Sequence, residues 1–177
     1  QKKYEKALKL INEVLKIKSN YQPALRDKAI VLFYLKKADE GLTYIQESLN
    51  QNPRDYIALN TLGLIYMAMK MFNEAHKIFN QSIKINPNYV TNYNNLGRCY
   101  HLQNDRESAL MYYKKALDHD PNFKESINNI ANYYCEVGSY GKAIQYYFRA
   151  LKKENDNPEI LYNIGVAYSY LKEFKKS

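Results

Sequence analysis

A 34-residue repeat constrains this chain more than any other feature. Between Leu59 and Pro87 the sequence reads Leu59, Leu62, Gly63 and Tyr66, then Phe72, Ala75, Phe79 and Ser82 after a short polar break, then Pro87. The first group falls at i, i+3, i+4 and i+7, one face of an α-helix, and the second keeps three- and four-residue steps, so the unit is a helical hairpin. Moving on 34 positions gives Tyr93, Leu96, Gly97, Tyr100, Arg106, Ala109, Tyr113, Ala116 and Pro121, where only Arg106 changes character. The next step gives Ile127, Ile130, Ala131, Tyr134, Tyr140, Ala143, Tyr147 and Ala150.

A helix-turn-helix unit of this period, with small residues at close-packing positions and a closing proline, resembles the tetratricopeptide repeat. With Tyr56 as position 1, that pattern wants a large residue at 4, Leu at 7, Gly or Ala at 8, Tyr at 11, Ala at 20, an aromatic at 24, Ala at 27 and Pro at 32. The usual Trp at position 4 is replaced by Leu25, Leu59, Tyr93, Ile127 and Leu161. The resemblance implies an all-α, right-handed α-solenoid of antiparallel helical hairpins, a single array over residues 1–177. Its parts are the second half of a repeat at 1–21, full repeats at 22–55, 56–89, 90–123 and 124–157, and a truncated one at 158–177. The unit at 22–55 diverges most, with Lys28 at the Leu position, Gly41 for Ala and Ile45 for the aromatic. Gly138 stands in the internal turn of the 124–157 unit, and Asn155 takes the place of its proline. Pro158 is expected to open the next helix with Asn157 as its cap.

The array carries no polar terminal repeat at either end, so the sequence reads as a piece of a longer protein that would fray or self-associate through its uncapped ends. It has no run of about 18 apolar residues, which argues against a membrane span. Cys99 and Cys135 show no paired spacing, which favours a reducing compartment, and a cytoplasmic location is the expectation. The formal charge is +8, but residues 1–18 carry six Lys against two Glu and 172–177 three Lys against one Glu. The interior is therefore near neutral, and only weak, salt-sensitive contact with nucleic acid is expected.

Enzyme chemistry is not visible. His76, His101 and His119 sit in no metal or catalytic motif, and His101 and Cys135 occupy equivalent places on neighbouring helices, about 8–10 Å apart and too far to share a metal. The expectation is a free thiol and a solvated imidazole. The single glycines at 63, 97 and 165 do not make a phosphate loop. No catalytic residue, metal, cofactor or small-molecule substrate is therefore assigned, and a catalytic domain would have to lie outside this stretch.

What the resemblance offers is a concave face lined by positions 2, 5, 6, 9, 12 and 13 of each first helix. Position 6 holds Asn95, Asn129 and Asn163, position 5 holds Asn60, Asn94 and Asn128, and position 9 adds Asn132. A primary amide can pair with both the C=O and N–H of an extended chain whatever its side chains. The line of asparagines is similar to that in the superhelix of O-linked N-acetylglucosamine transferase. The expected function is a protein-interaction scaffold that binds an extended segment or helix of a partner. Its rivals are the substrate-recruiting arm of a glycosyltransferase and a structural subunit of a ciliary or cell-cycle assembly. The chaperone-tail clamp of other family members is absent, because no Lys or Arg follows at the positions it requires.

Overall fold

The structure is a computed structural model that describes residues 1–151 and 157–174. Asn155 and the last three residues lie outside the described stretch. The elements are α1 (Lys2–Ile17), α2 (Gln22–Tyr34), α3 (Ala38–Gln51), α4 (Tyr56–Ala68), α5 (Phe72–Ile85), α6 (Thr91–Leu102), α7 (Arg106–His119), α8 (Lys124–Glu136), α9 (Tyr140–Leu151) and α10 (Pro158–Phe174). Among the described residues there are no strands. The chain gathers into two compact units, Gln1–Asn95 and the residues from Leu96 onward, with α6 beginning in one and ending in the other.

Two kinds of turn recur every 34 residues. Within a hairpin the first helix ends at a left-handed residue, Lys36, Lys70, Asn104 or Gly138, with φ of 64°, 61°, 62° and 74°. The following N–H reaches back to the last helical turn, as from Lys37 to the Leu32 carbonyl and from Met71 to the Tyr66 carbonyl, each 2.9 Å, which satisfies carbonyls the helix leaves over. Between hairpins, Asn52, Asn86 and Asp120 each precede proline and accept, through Oδ1, the backbone N–H two residues on. The proline removes a donor and the side chain closes the turn.

Each unit has its own core. In the first, Ala29, Ile45, Ala58, Leu62 and Ile65 pack together, and in the second Ile127, Ala131, Ala143, Tyr147, Ala150 and Ile164 do so. The small residue at position 8 lets the aromatic at position 24 lie against the helix backbone: Phe79 covers Gly63, and Tyr113 covers Gly97. Lys28, at a position where leucine is expected, places its ammonium 4.0 Å from the centre of the Tyr44 ring, a cation–π contact that keeps the charge while its stem packs.

Asn157 accepts from the N–H groups of Glu159 and Ile160 and so caps α10 ahead of Pro158, as its sequence leads one to expect. The end of α10 departs from expectation. A turn near Lys172 and a new helix are expected, but α10 runs on through Phe174. In the other repeats the left-handed turn residue is held by a return helix whose positions 20, 24 and 27 pack back. Of those positions only position 20, at Ser177, falls within the sequence, and a non-glycine residue enters the left-handed conformation at a cost of about 1–2 kcal/mol.

Asp55 joins two repeats of the first unit. Its Oδ1 accepts from the Ile57 and Ala58 N–H groups at 3.0 Å, capping α4, while Oδ2 receives the Gln22 amide at 3.0 Å and the Arg26 guanidinium at 3.1 Å. Burial alone would raise its pKa, but the bonds from Ala58, Gln22 and Arg26 outweigh it and hold the carboxyl below its usual value. A depressed folded-state pKa contributes stability that is present above the unfolded value, about 3.9, and is lost as pH falls through the folded value. Thermal unfolding from pH 7 to pH 2 should show that loss in the parent and less of it in Asp55→Asn. Asp55→Ala should cost about 2 kcal/mol at neutral pH, since the cap and both side-chain partners go together.

Candidate functional site

The seven asparagines divide into two groups. In the first unit Asn60, Asn94 and Asn95 are buried, at 6%, 4% and 3% exposure, and Asn95 Nδ2 donates to Asn60 Oδ1 at 2.8 Å. Position 5 of α4 thus meets position 6 of α6, and the two amides satisfy part of each other's hydrogen bonding. In the second unit Asn129 and Asn132 line a pocket of about 160 Å³, together with Arg98, His101, Leu102, Tyr113 and Glu136. Asn128, beside it in sequence, has its Oδ1 buried without a partner. Asn163 lies half-buried on α10 and does not line the pocket.

The helical repeat brings these pocket residues together. Arg98, His101 and Leu102 stand at positions 9, 12 and 13 on α6, and Asn129, Asn132 and Glu136 at positions 6, 9 and 13 on α8. Tyr113, at position 24 on α7, closes the floor. Burial pushes its phenol well up from its ordinary value, so the ring enters the pocket as a neutral group.

Hydrogen bonds fix the polar groups. Tyr147 donates its O–H to Asn132 Oδ1 at 2.5 Å, which fixes the amide with its oxygen toward Tyr147. Glu136 takes the Arg106 guanidinium at 3.2 Å and lies 3.5 Å from His101 Nε2. The imidazole expected to be simply solvated is thus aimed at a carboxylate. The Cys135 thiol lies 3.8 Å from the Tyr147 hydroxyl, while burial pushes the buried Cys99 thiol up to about 11. Among the described residues no group of three His, Cys, Asp or Glu side chains could hold a metal. Arg98 and Glu136 were not singled out in the sequence, His101 was expected to be solvated and Tyr113 was read only as the position-24 aromatic; reading charge at positions 9, 12 and 13 would have marked Arg98, His101 and Glu136.

Paired helices with a left-handed turn inside each hairpin, a proline turn between hairpins and a 34-residue register define a helical-hairpin repeat protein. Tetratricopeptide-repeat models match residues 56–122 and 112–145, and a TPR-repeat model matches 131–171. The chain belongs to the tetratricopeptide repeat family. It is similar in fold to a thermophilic TPR protein of Thermus thermophilus, with a TM-score of 0.85 and 21% identity over 93% of this chain and 90% of that one. It is also similar to MamA, with a TM-score of 0.68 and 20% identity over 86% and 89% of the two chains. A third structure is YrrB, described as a TPR protein with an unusual peptide-binding site, with a TM-score of 0.62 and 17% identity over 92% and 84%. No curated protein matches the chain. Among the described residues no helix is long and apolar enough to cross a membrane.

Proposed function

We propose that this chain is a protein-interaction scaffold that holds an extended segment of a partner protein along the first-helix face of its second unit, at the pocket between α6 and α8. The observation that carries this reading is the Asn132 amide, which lines the pocket beside Asn129 and whose orientation is held by the Tyr147 hydroxyl on its oxygen. An amide held in this way meets a backbone carbonyl of a passing chain without first giving up freedom of its own. The polar lining and small volume suit one part of such a chain. YrrB, a structure of similar fold, is described as having a peptide-binding site, which agrees with this reading.

The test is selection of peptides from a random displayed library on this protein, followed by titration. A selected peptide should saturate one site, and Asn129→Ala/Asn132→Ala should weaken it roughly tenfold or more, at about 0.5–1.5 kcal/mol net per lost hydrogen bond. The double variant also leaves the Tyr147 hydroxyl without its main acceptor, so about 1 kcal/mol of stability should go with it. Undiminished binding by a folded double variant would move the interface elsewhere.

A further inference from the structure

We propose that copies of this chain join head to tail, with α1 of one copy packed on α10 of the next as the two helices of one hairpin. The occupant of both faces is thus a second copy of the chain, and neither face involves the pocket between α6 and α8.

The 34-residue register identifies the faces. Ala7, Ile11 and Val14 on α1 stand at positions 20, 24 and 27, which belong to a second helix, while Leu161, Gly165 and Tyr168 on α10 stand at positions 4, 8 and 11, which belong to a first. In the repeat at 124–157 these two sets make one core, where Ile127 and Ala131 pack with Ala143, Tyr147 and Ala150. Position 27 is sealed in each such repeat, with Ser48, Ser82 and Ala116 at 0% and Ala150 at 2% exposure, yet Val14 is 42% exposed. Position 4 is buried at Leu25, Leu59, Tyr93 and Ile127, at 8% or less, yet Leu161 is 50% exposed. Phe79 covers Gly63 and Tyr113 covers Gly97, but nothing lies within 4 Å of a Cβ at Gly165. α1 packs on α2 and α10 on α9, and neither contact seals Val14 or Leu161.

Each face offers what the other needs. In the register of an intact hairpin, Ile11 of one copy meets Gly165 of the next, as Ile45 packs with Ala29 in the first unit. Leu10, at position 23, meets Tyr168 at position 11, a pairing that Tyr100 and Tyr112, and Tyr134 and Tyr146, make within the chain. Charge favours the mixed pair: α1 holds five Lys against two Glu, and α10 two Glu against one Lys. Two α1 helices would repel, whereas α1 and α10 attract. The contact is heterologous, so a pair of copies still presents one α1 face and one α10 face for further growth.

Two variants test this. Leu10→Glu/Val14→Glu blocks the α1 face and Leu161→Glu/Tyr168→Glu the α10 face, all four positions being exposed. In sedimentation equilibrium the mass of the parent should rise with concentration past that of a dimer, while each variant alone stays monomeric with an unchanged circular dichroism spectrum. Mixing the two variants should give a complex of two chains and nothing larger, because only one α1 face and one α10 face remain between them. Should one pair of substitutions loosen its own helix, the face at the other end is untouched and the mixture still decides. Dimers of either variant alone, or no complex in the mixture, would overturn the proposal. So would a parent that stays monomeric at about 1 mM, where an association with a Kd of ~0.1 mM would be plain. Binding of such a monomer to phosphatidylserine vesicles, lost in Leu10→Glu/Val14→Glu, would give the α1 face to a lipid surface instead.

Discussion

Ser82→Ala should destabilise the first unit by about 2–3 kcal/mol, far more than the loss of one oxygen suggests. Ser82 is fully buried, donates to the Tyr56 carbonyl at 2.8 Å and accepts from Asn92 Nδ2 at 2.7 Å. Asn92 is itself fully buried, and its Oδ1 has no partner. Removing the hydroxyl would leave the Asn92 amide unpaired in the core, and leaving a buried polar group unmet costs about 1–3 kcal/mol. The equivalent places two repeats on show how the seam closes without polar atoms: Ala150 and Ile160 pack together there as part of one core. Ser82→Ala/Asn92→Ile should therefore recover most of the loss. A double-mutant cycle in urea should show strong coupling, with the double variant more stable than Ser82→Ala alone. Additive losses would mean that the two side chains do not act together.

Gly97→Val should cost about 3 kcal/mol, while Gly165→Val at the same repeat position should change stability by a few tenths. A Cβ at Gly97 would stand 2.5 Å from Cδ1 and Cε1 of Tyr113 and 3.0 Å from the Ala109 carbonyl oxygen, whereas nothing lies within 4 Å of one at Gly165. Tyr113 is 3% exposed and has little room to retreat. The next repeat accommodates a single methyl, since Ala131 faces Tyr147 there, so valine is the discriminating substitution. Forcing further carbons into a packed site costs roughly 1–3 kcal/mol, sometimes more. Equal effects at the two glycines would contradict the packing described.

Much of the fold can be read directly from the residues, because a 34-residue register repeats the same faces and the same turn chemistry. The proline turns, the cap at Asn157 and the close approach at Gly63 and Gly97 all follow from local residue types. The left-handed turns at Lys36 and Lys70 do not, since neither residue favours that conformation; packing of the return helix imposes it. α10 runs through Lys172 without such a turn, and among the described residues no return helix follows it. The candidate site was less legible. Asparagine at position 5 or 6 looks alike in every repeat, yet Asn60 and Asn95 are buried against each other while Asn129 and Asn132 open on a pocket. What separates them is the company each keeps in space: Tyr147 behind Asn132, and Arg98, His101 and Glu136 around it. Periodicity along one helix carries no record of those neighbours.

Where a selected peptide sits on the folded chain is the most direct test of the scaffold reading. Backbone and side-chain amide resonances of ¹⁵N-labelled protein, followed during titration, would place it. The account predicts that the largest shifts fall on α6 and α8, at Arg98, Leu102 and the side-chain amides of Asn129 and Asn132. Shifts confined to α7 and α9, or to α1 and α10, with those two amides unmoved at saturation, would contradict it.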